Sequence, residues 1–176
     1  MQSMRRGWIL TVGMAAMLTA RGTAQAPASP RDTTKATIGA AKILVDYGRP
    51  SKRGRVIFAD AGLVPFGQIW RAGANAATTF VTNRPLMVGA TMVPAGTYTL
   101  YALPGATGWK LVINKQTGQW GTEYHQDQDL ARVDMKVEKL AAPVEKFTIK
   151  VEPKGPNGQL RFEWDTTAAS VDFMVH

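Results

Sequence analysis

The chain has 176 residues, no cysteine, and a formal charge of +8 from 21 Lys and Arg against 13 Asp and Glu. The lack of cysteine excludes disulfides, thiolate catalysis, Cys-based zinc sites and a lipidated cysteine anchor. The length suits a single domain, and beyond the N-terminal segment no apolar run nears the ~20 residues of a membrane helix.

Residues 1–26 read as a cleaved export signal. Arg5 and Arg6 form a positive n-region, Trp8 to Leu18 a short apolar stretch, and Ala24-Gln25-Ala26 an A-x-A cleavage site. Arg5-Arg6-Gly7-Trp8-Ile9 also resembles a twin-arginine signal. The Ser usual before such a pair is Met4 here, which tilts the reading toward the ordinary Sec route. The expected mature protein starts near Pro27 and is periplasmic or secreted. Losing Arg5, Arg6 and Arg21 takes its formal charge from +8 to +5. Such a chain is suited to anionic envelope partners, and nucleic acid is not an expected one.

Residues 27–35, PASPRDTTK, read as a polar linker, and 36–176 as one β domain. Alternation places Ile43, Val45 and Tyr47 on one face, then Trp109, Leu111 and Ile113, then Val133, Met135 and Val137. The same period recurs in Phe147, Ile149 and Val151, in Leu160, Phe162 and Trp164, and in Val171, Phe173 and Val175. Turn signals fall at Gly89-Ala90, Pro94-Ala95-Gly96, Pro104-Gly105 and Pro156-Asn157-Gly158. A helical turn or two fits only within 64–77. The expected fold is an all-β antiparallel sandwich of about nine short strands, with a closed barrel as the alternative.

Candidate chemistry gathers in three places. The first is FGQIWRAGANAATTF, 66–80, where Trp70 and Arg71 stand beside a run of small residues and Asn75. Small residues let backbone segments approach closely. A guanidinium presents a planar fork suited to carboxylate or phosphate. The functional reading is an anion- or polyol-binding corner in which Trp70, Arg71, Asn75 and Thr78 line a site. The structural reading is a buried Arg71 paired with a carboxylate such as Asp129. Trp70 and Trp120 both lie outside clear strands, beside Arg71 and Tyr124 respectively. They stack on a flat ligand or cap the ends of the sandwich.

The second place is the basic cluster Arg49, Lys52, Arg53 and Arg55, which also reads as a solvated turn. The third is YHQDQD, 124–129. In an extended chain His125, Asp127 and Asp129 share a face and offer a weak metal set. There is no G-x-S-x-G elbow, phosphate loop or dinucleotide fingerprint, and no cofactor is expected.

The string 47–82 carries Tyr47-x-Arg49-Pro50-Ser51, Gly54-Arg55, Leu63-Val64-Pro65-Phe66-Gly67 and Trp70-Arg71-x-Gly73-Ala74-Asn75 followed by Thr78. It resembles a family of exported bacterial proteins known only as a domain of unknown function. Further matches run through PAGTYTLYALP, WKLVINK, QWGTEY and EKFTI. Ala59-Asp60 stands where Gly is more usual, and Phe66 where Tyr is common. The resemblance implies that Arg49, Arg55, Trp70, Arg71, Asn75 and Trp120 belong to the family's pattern, and it brings no reaction or ligand. The reading that follows is a non-enzymatic module binding a small polar, anionic or saccharide-like ligand. Its proposed lining is Arg49, Arg55, Trp70, Arg71, Asn75, Thr78, Trp120 and Tyr124. The alternatives are a structural or protein-interaction module of the envelope, and a metal-assisted hydrolase using His125, Asp127 or Asp129.

Overall fold

A computed structural model describes residues 29–176. The expected signal, 1–26, lies outside the described residues, as do the first two positions of the expected linker. The rest of that linker differs from expectation, because Arg31 to Lys35 already belong to strand β1. Arg31 anchors them through its guanidinium, which meets the Asp46 carboxylate and the carbonyls of Ala76 and Ala77.

Among the described residues, nine antiparallel strands form one hydrogen-bonded sheet. They are β1 (Arg31–Ile38), β2 (Ala41–Gly48), β3 (Thr78–Thr82), β4 (Leu86–Val88), β5 (Thr91–Val93), β6 (Gly96–Leu103), β7 (Trp109–Asn114), β8 (Asp129–Lys154) and β9 (Asn157–Val175). Their spatial order is β1-β2-β3-β6-β7-β8-β9-β4-β5, and the two end strands do not pair, so the sheet is open rather than a barrel. The all-β antiparallel expectation and the strand number hold. The expectation of uniformly short strands does not, since β8 has 26 residues and β9 has 19.

β8 explains how one sheet makes two layers. Its first part, Asp129 to Met135, pairs with β7, and from Lys136 onward it pairs with β9. Register shifts between Lys139 and Val144, and again before Thr148, bend it so that the two halves face each other. Val137, expected to point inward, is 40% exposed at the handover. Elsewhere the alternation is kept: Ile43, Val45 and Tyr47 are all buried, as are Trp109, Leu111 and Ile113. Each such side chain contributes about 1.5–3 kcal/mol by leaving water.

Contacts across the layers are specific. The Tyr47 hydroxyl accepts the Ile149 N–H at 3.0 Å, and its ring meets Phe147 edge-on at 5.7 Å. The same ring cluster runs on through Trp70, Trp109 and Trp164.

Between β2 and β3 lies a long connection, 49–77, without a regular strand. Segment 64–77 forms turns and isolated bridges rather than the helical turn considered from sequence. Long irregular connections inside compact domains are commonly binding loops.

Candidate functional site at the Trp70–Arg71 corner

The corner is built by pinning an irregular loop at both ends. Trp70 and Ala102 of β6 exchange both backbone hydrogen bonds at 2.8 Å. At the other end Ala76 bridges Trp120, Ala77 N–H reaches Gln119 O, and Gly121 N–H reaches Asn75 O at 3.0 Å. Thr78 is fully buried, and its hydroxyl donates to Ala72 O at 2.8 Å, tying the turn from inside.

The small residues of this stretch follow from how close it runs to β2. A Cβ placed on Gly48 would stand 2.1 Å from the Ala74 carbonyl oxygen, so the two backbones are in direct contact. The turn also requires left-handed backbone at Ala72 (φ 44°) and Asn75 (φ 65°). Asn adopts that region most readily among non-Gly residues. Its side-chain amide also donates to Ser29 O at 3.4 Å.

Trp70 points inward. It is 9% exposed, stacked on Trp164 at 5.9 Å and edge-on to Phe147 at 4.8 Å. The reading that took it for a loop aromatic outside the core is corrected, because a single bridge to β6 gives it the orientation of a strand residue. Arg71, one position on, turns the other way and is half-buried.

The expected pairing of Arg71 with Asp129 does not occur. Asp129 instead receives Arg132 Nε at 2.8 Å, the Tyr124 hydroxyl at 2.6 Å and Asn114 Nδ2 at 2.9 Å. Among the described residues the Arg71 side chain has no hydrogen bond and no ion pair.

Two adjoining cavities share Arg71, Trp70, Leu63 and Val64 as walls. One, of about 350 Å³, is completed by Pro65, Gln68, Ile69, Gly121, Thr122 and Tyr124. The other, of about 230 Å³, is completed chiefly by Ser29, Arg55, Asn75 and Trp164. No Asp, Glu or His among the described residues lines either one. Arg55 donates to the carbonyls of Lys52 and Ser51 at 3.0 and 2.6 Å. It has no carboxylate partner among the described residues.

Tyr124 lends this wall its ring, which packs edge-on against Tyr101 at 5.0 Å. Its hydroxyl donates to Asp129 and accepts from Arg132. Burial and the Asp129 carboxylate push its pKa up to about 12, so it stays protonated and serves as no base.

The remaining candidates stand elsewhere. Arg49 is a clamp between strands, bonded to Phe147 O, Asp32 and Thr148 Oγ1 at 2.9–3.1 Å. Trp120 is 50% exposed and lines neither cavity. The extended geometry that would align His125, Asp127 and Asp129 is replaced by a 3-10 turn at Gln126–Gln128. Asp127 is held below its ordinary pKa, first by the Gln128 amide. Among the described residues no three His, Asp or Glu are grouped to hold a metal ion.

Sequence reasoning did not single out Leu63, Val64, Pro65, Ile69 and Gly121 as site residues. Leu63-Val64-Pro65 stood in the family pattern, which was the available signal.

Residues 29–173 match the family described as Protein of unknown function (DUF2911). The chain belongs to that family. The match spans every strand of the DUF2911 domain apart from the last residues of β9, and so includes the whole Trp70–Arg71 corner. No curated protein and no solved structure matches the chain.

Proposed function

We propose that this DUF2911 domain is an exported binding module that takes a small anionic ligand in the cleft between Arg71 and Arg55. The observation that carries the reading is the Arg71 side chain, half-buried and without a partner, on a cleft whose described walls carry no acidic residue. A half-buried charge costs solvation that a partner normally returns. An anion bound at the fork returns it through charge-assisted hydrogen bonds. Cavities of this size are at the lower end of small-molecule sites.

Binding is favoured over hydrolysis for a reason of geometry. Acid–base catalysis needs a titratable group within hydrogen-bond reach of the reacting atoms. The histidine and carboxylates of 125–129 are not on the cleft walls, and Tyr124 is locked in its protonated form. Export follows from the leader pattern of residues 1–26.

The test is thermal unfolding of mature protein titrated with inorganic phosphate and with acetate, beside Arg71→Gln. A saturable rise in melting temperature is expected for the natural sequence, growing as RT ln(1 + [L]/Kd). The same rise in Arg71→Gln would overturn the site assignment.

A further inference from the structure

We infer that the ligand of this cleft is amphiphilic, a small anion whose head meets Arg71 and Arg55 and whose apolar body fills the larger cavity; this rests on the anion-binding reading above. The two cavities differ in chemistry on either side of Arg71. The smaller one carries Arg55, Asn75 and Ser29, all polar. The larger one has five apolar walls in Leu63, Val64, Pro65, Ile69 and Trp70, with Gln68, Thr122 and Tyr124 beside them.

A free inorganic anion leaves those apolar walls facing water. Leu63 shows the consequence, being 45% exposed, while Ile69 is partly buried. The Tyr124 hydroxyl on that side is already engaged by Asp129 and Arg132, which leaves the exposed Gln68 and Thr122 as its neutral polar side chains. A sugar would find its neutral side-chain partners in Gln68 and Thr122, whereas a hydrocarbon chain or ring buries surface against the five apolar walls. The cleft thus has the polarity profile of a short-chain or aryl carboxylate.

The experiment is calorimetric titration of mature protein with straight-chain carboxylates from acetate to octanoate, with inorganic phosphate alongside. Affinity is expected to rise about fourfold per methylene until the chain outgrows the cavity, the value of a buried CH₂. Arg71→Gln is expected to abolish binding across the series. Leu63→Gln, at an exposed position that does not threaten folding, is expected to flatten the chain-length dependence. Acetate and phosphate binding that depends on Arg71 with no gain from longer chains would overturn this inference while leaving the anion site standing. An undiminished slope in Leu63→Gln would also overturn it. Loss of every ligand, phosphate and acetate included, in the natural protein would overturn both.

Discussion

Gly121 lies directly against the Arg71 side chain: a Cβ at position 121 would stand 2.7 Å from Arg71 Cδ and 3.1 Å from its Cβ. The same added atom would meet Asn75 O at 2.6 Å, and that oxygen already accepts the Gly121 N–H. The absence of a side chain at one residue thus sets the path of the guanidinium stem and the position of the turn beneath it.

Gly121→Ala should therefore disturb stability and site together. Overpacking of this kind costs about 1–3 kcal/mol. At roughly 2–4 °C per kcal/mol, melting should fall by about 2–12 °C. Anion-dependent stabilisation should shrink in the same variant, because the stem must swing away. Unchanged melting and unchanged anion response would show that the loop yields freely.

Two of the pattern's three arginines, Arg49 and Arg71, should separate on truncation. Arg49→Met removes three hydrogen bonds that join the end of β2 to β1 and β8, one of them to the Asp32 carboxylate. A loss of about 1.5–3 kcal/mol is expected in urea unfolding. Arg71→Met removes no such bond, keeps an apolar stem over Gly121, and should stay within about 0.5 kcal/mol of the natural protein. A large loss for Arg71→Met would return Arg71 to the structural role.

Asn75 tests the backbone of the corner. With φ at 65°, Asn75→Gly should be close to neutral, while Asn75→Ala should cost about 1–2 kcal/mol. Equal melting temperatures for the two variants would contradict a left-handed turn there.

Acid should loosen the β8–β9 hairpin in a defined window. Lys136, with help from Arg161, holds the Glu138 carboxyl down at about 2, and Lys154 lowers Asp172. A carboxyl whose pKa is lower folded than unfolded contributes stability that is complete above its unfolded value. That contribution drains away as pH falls through the folded value. Melting temperature should thus decline from about pH 5 toward about pH 2, and less steeply in Glu138→Gln. An identical pH dependence in Glu138→Gln would remove Glu138 from the account.

Much of this fold was legible as period-two alternation, because β2 keeps one face buried along its whole length while Lys42, Leu44 and Asp46 on the other stay at least partly exposed. The joining of 132–138 and 146–151 into one strand was not. Its register breaks between Lys139 and Thr148 suspend the alternation just after β8 exchanges partners. Trp70 escaped for a related reason, since one isolated bridge imposes a strand's geometry without a strand's pattern. At the candidate site, the residue types were visible and the pairings were not. Whether Asp129 turns to Arg71 or to Arg132 is a question of distance, and sequence holds no distances. The apolar half of the cleft was hidden among ordinary loop residues, where Leu63 and Ile69 read as neither core nor surface.

The partner exchange along β8 also bears on how the domain comes apart. A continuous strand belongs to both layers, so neither layer can melt without releasing the hydrogen bonds that edge the other. The two layers should behave as one cooperative unit, with amide protons in β7 and in β9 reporting a common opening free energy in exchange. A backbone cut at the Met135–Lys136 handover would leave the layers joined through 83–85 and 94–95, the short links into β4 and out of β5, and should pull those two free energies apart.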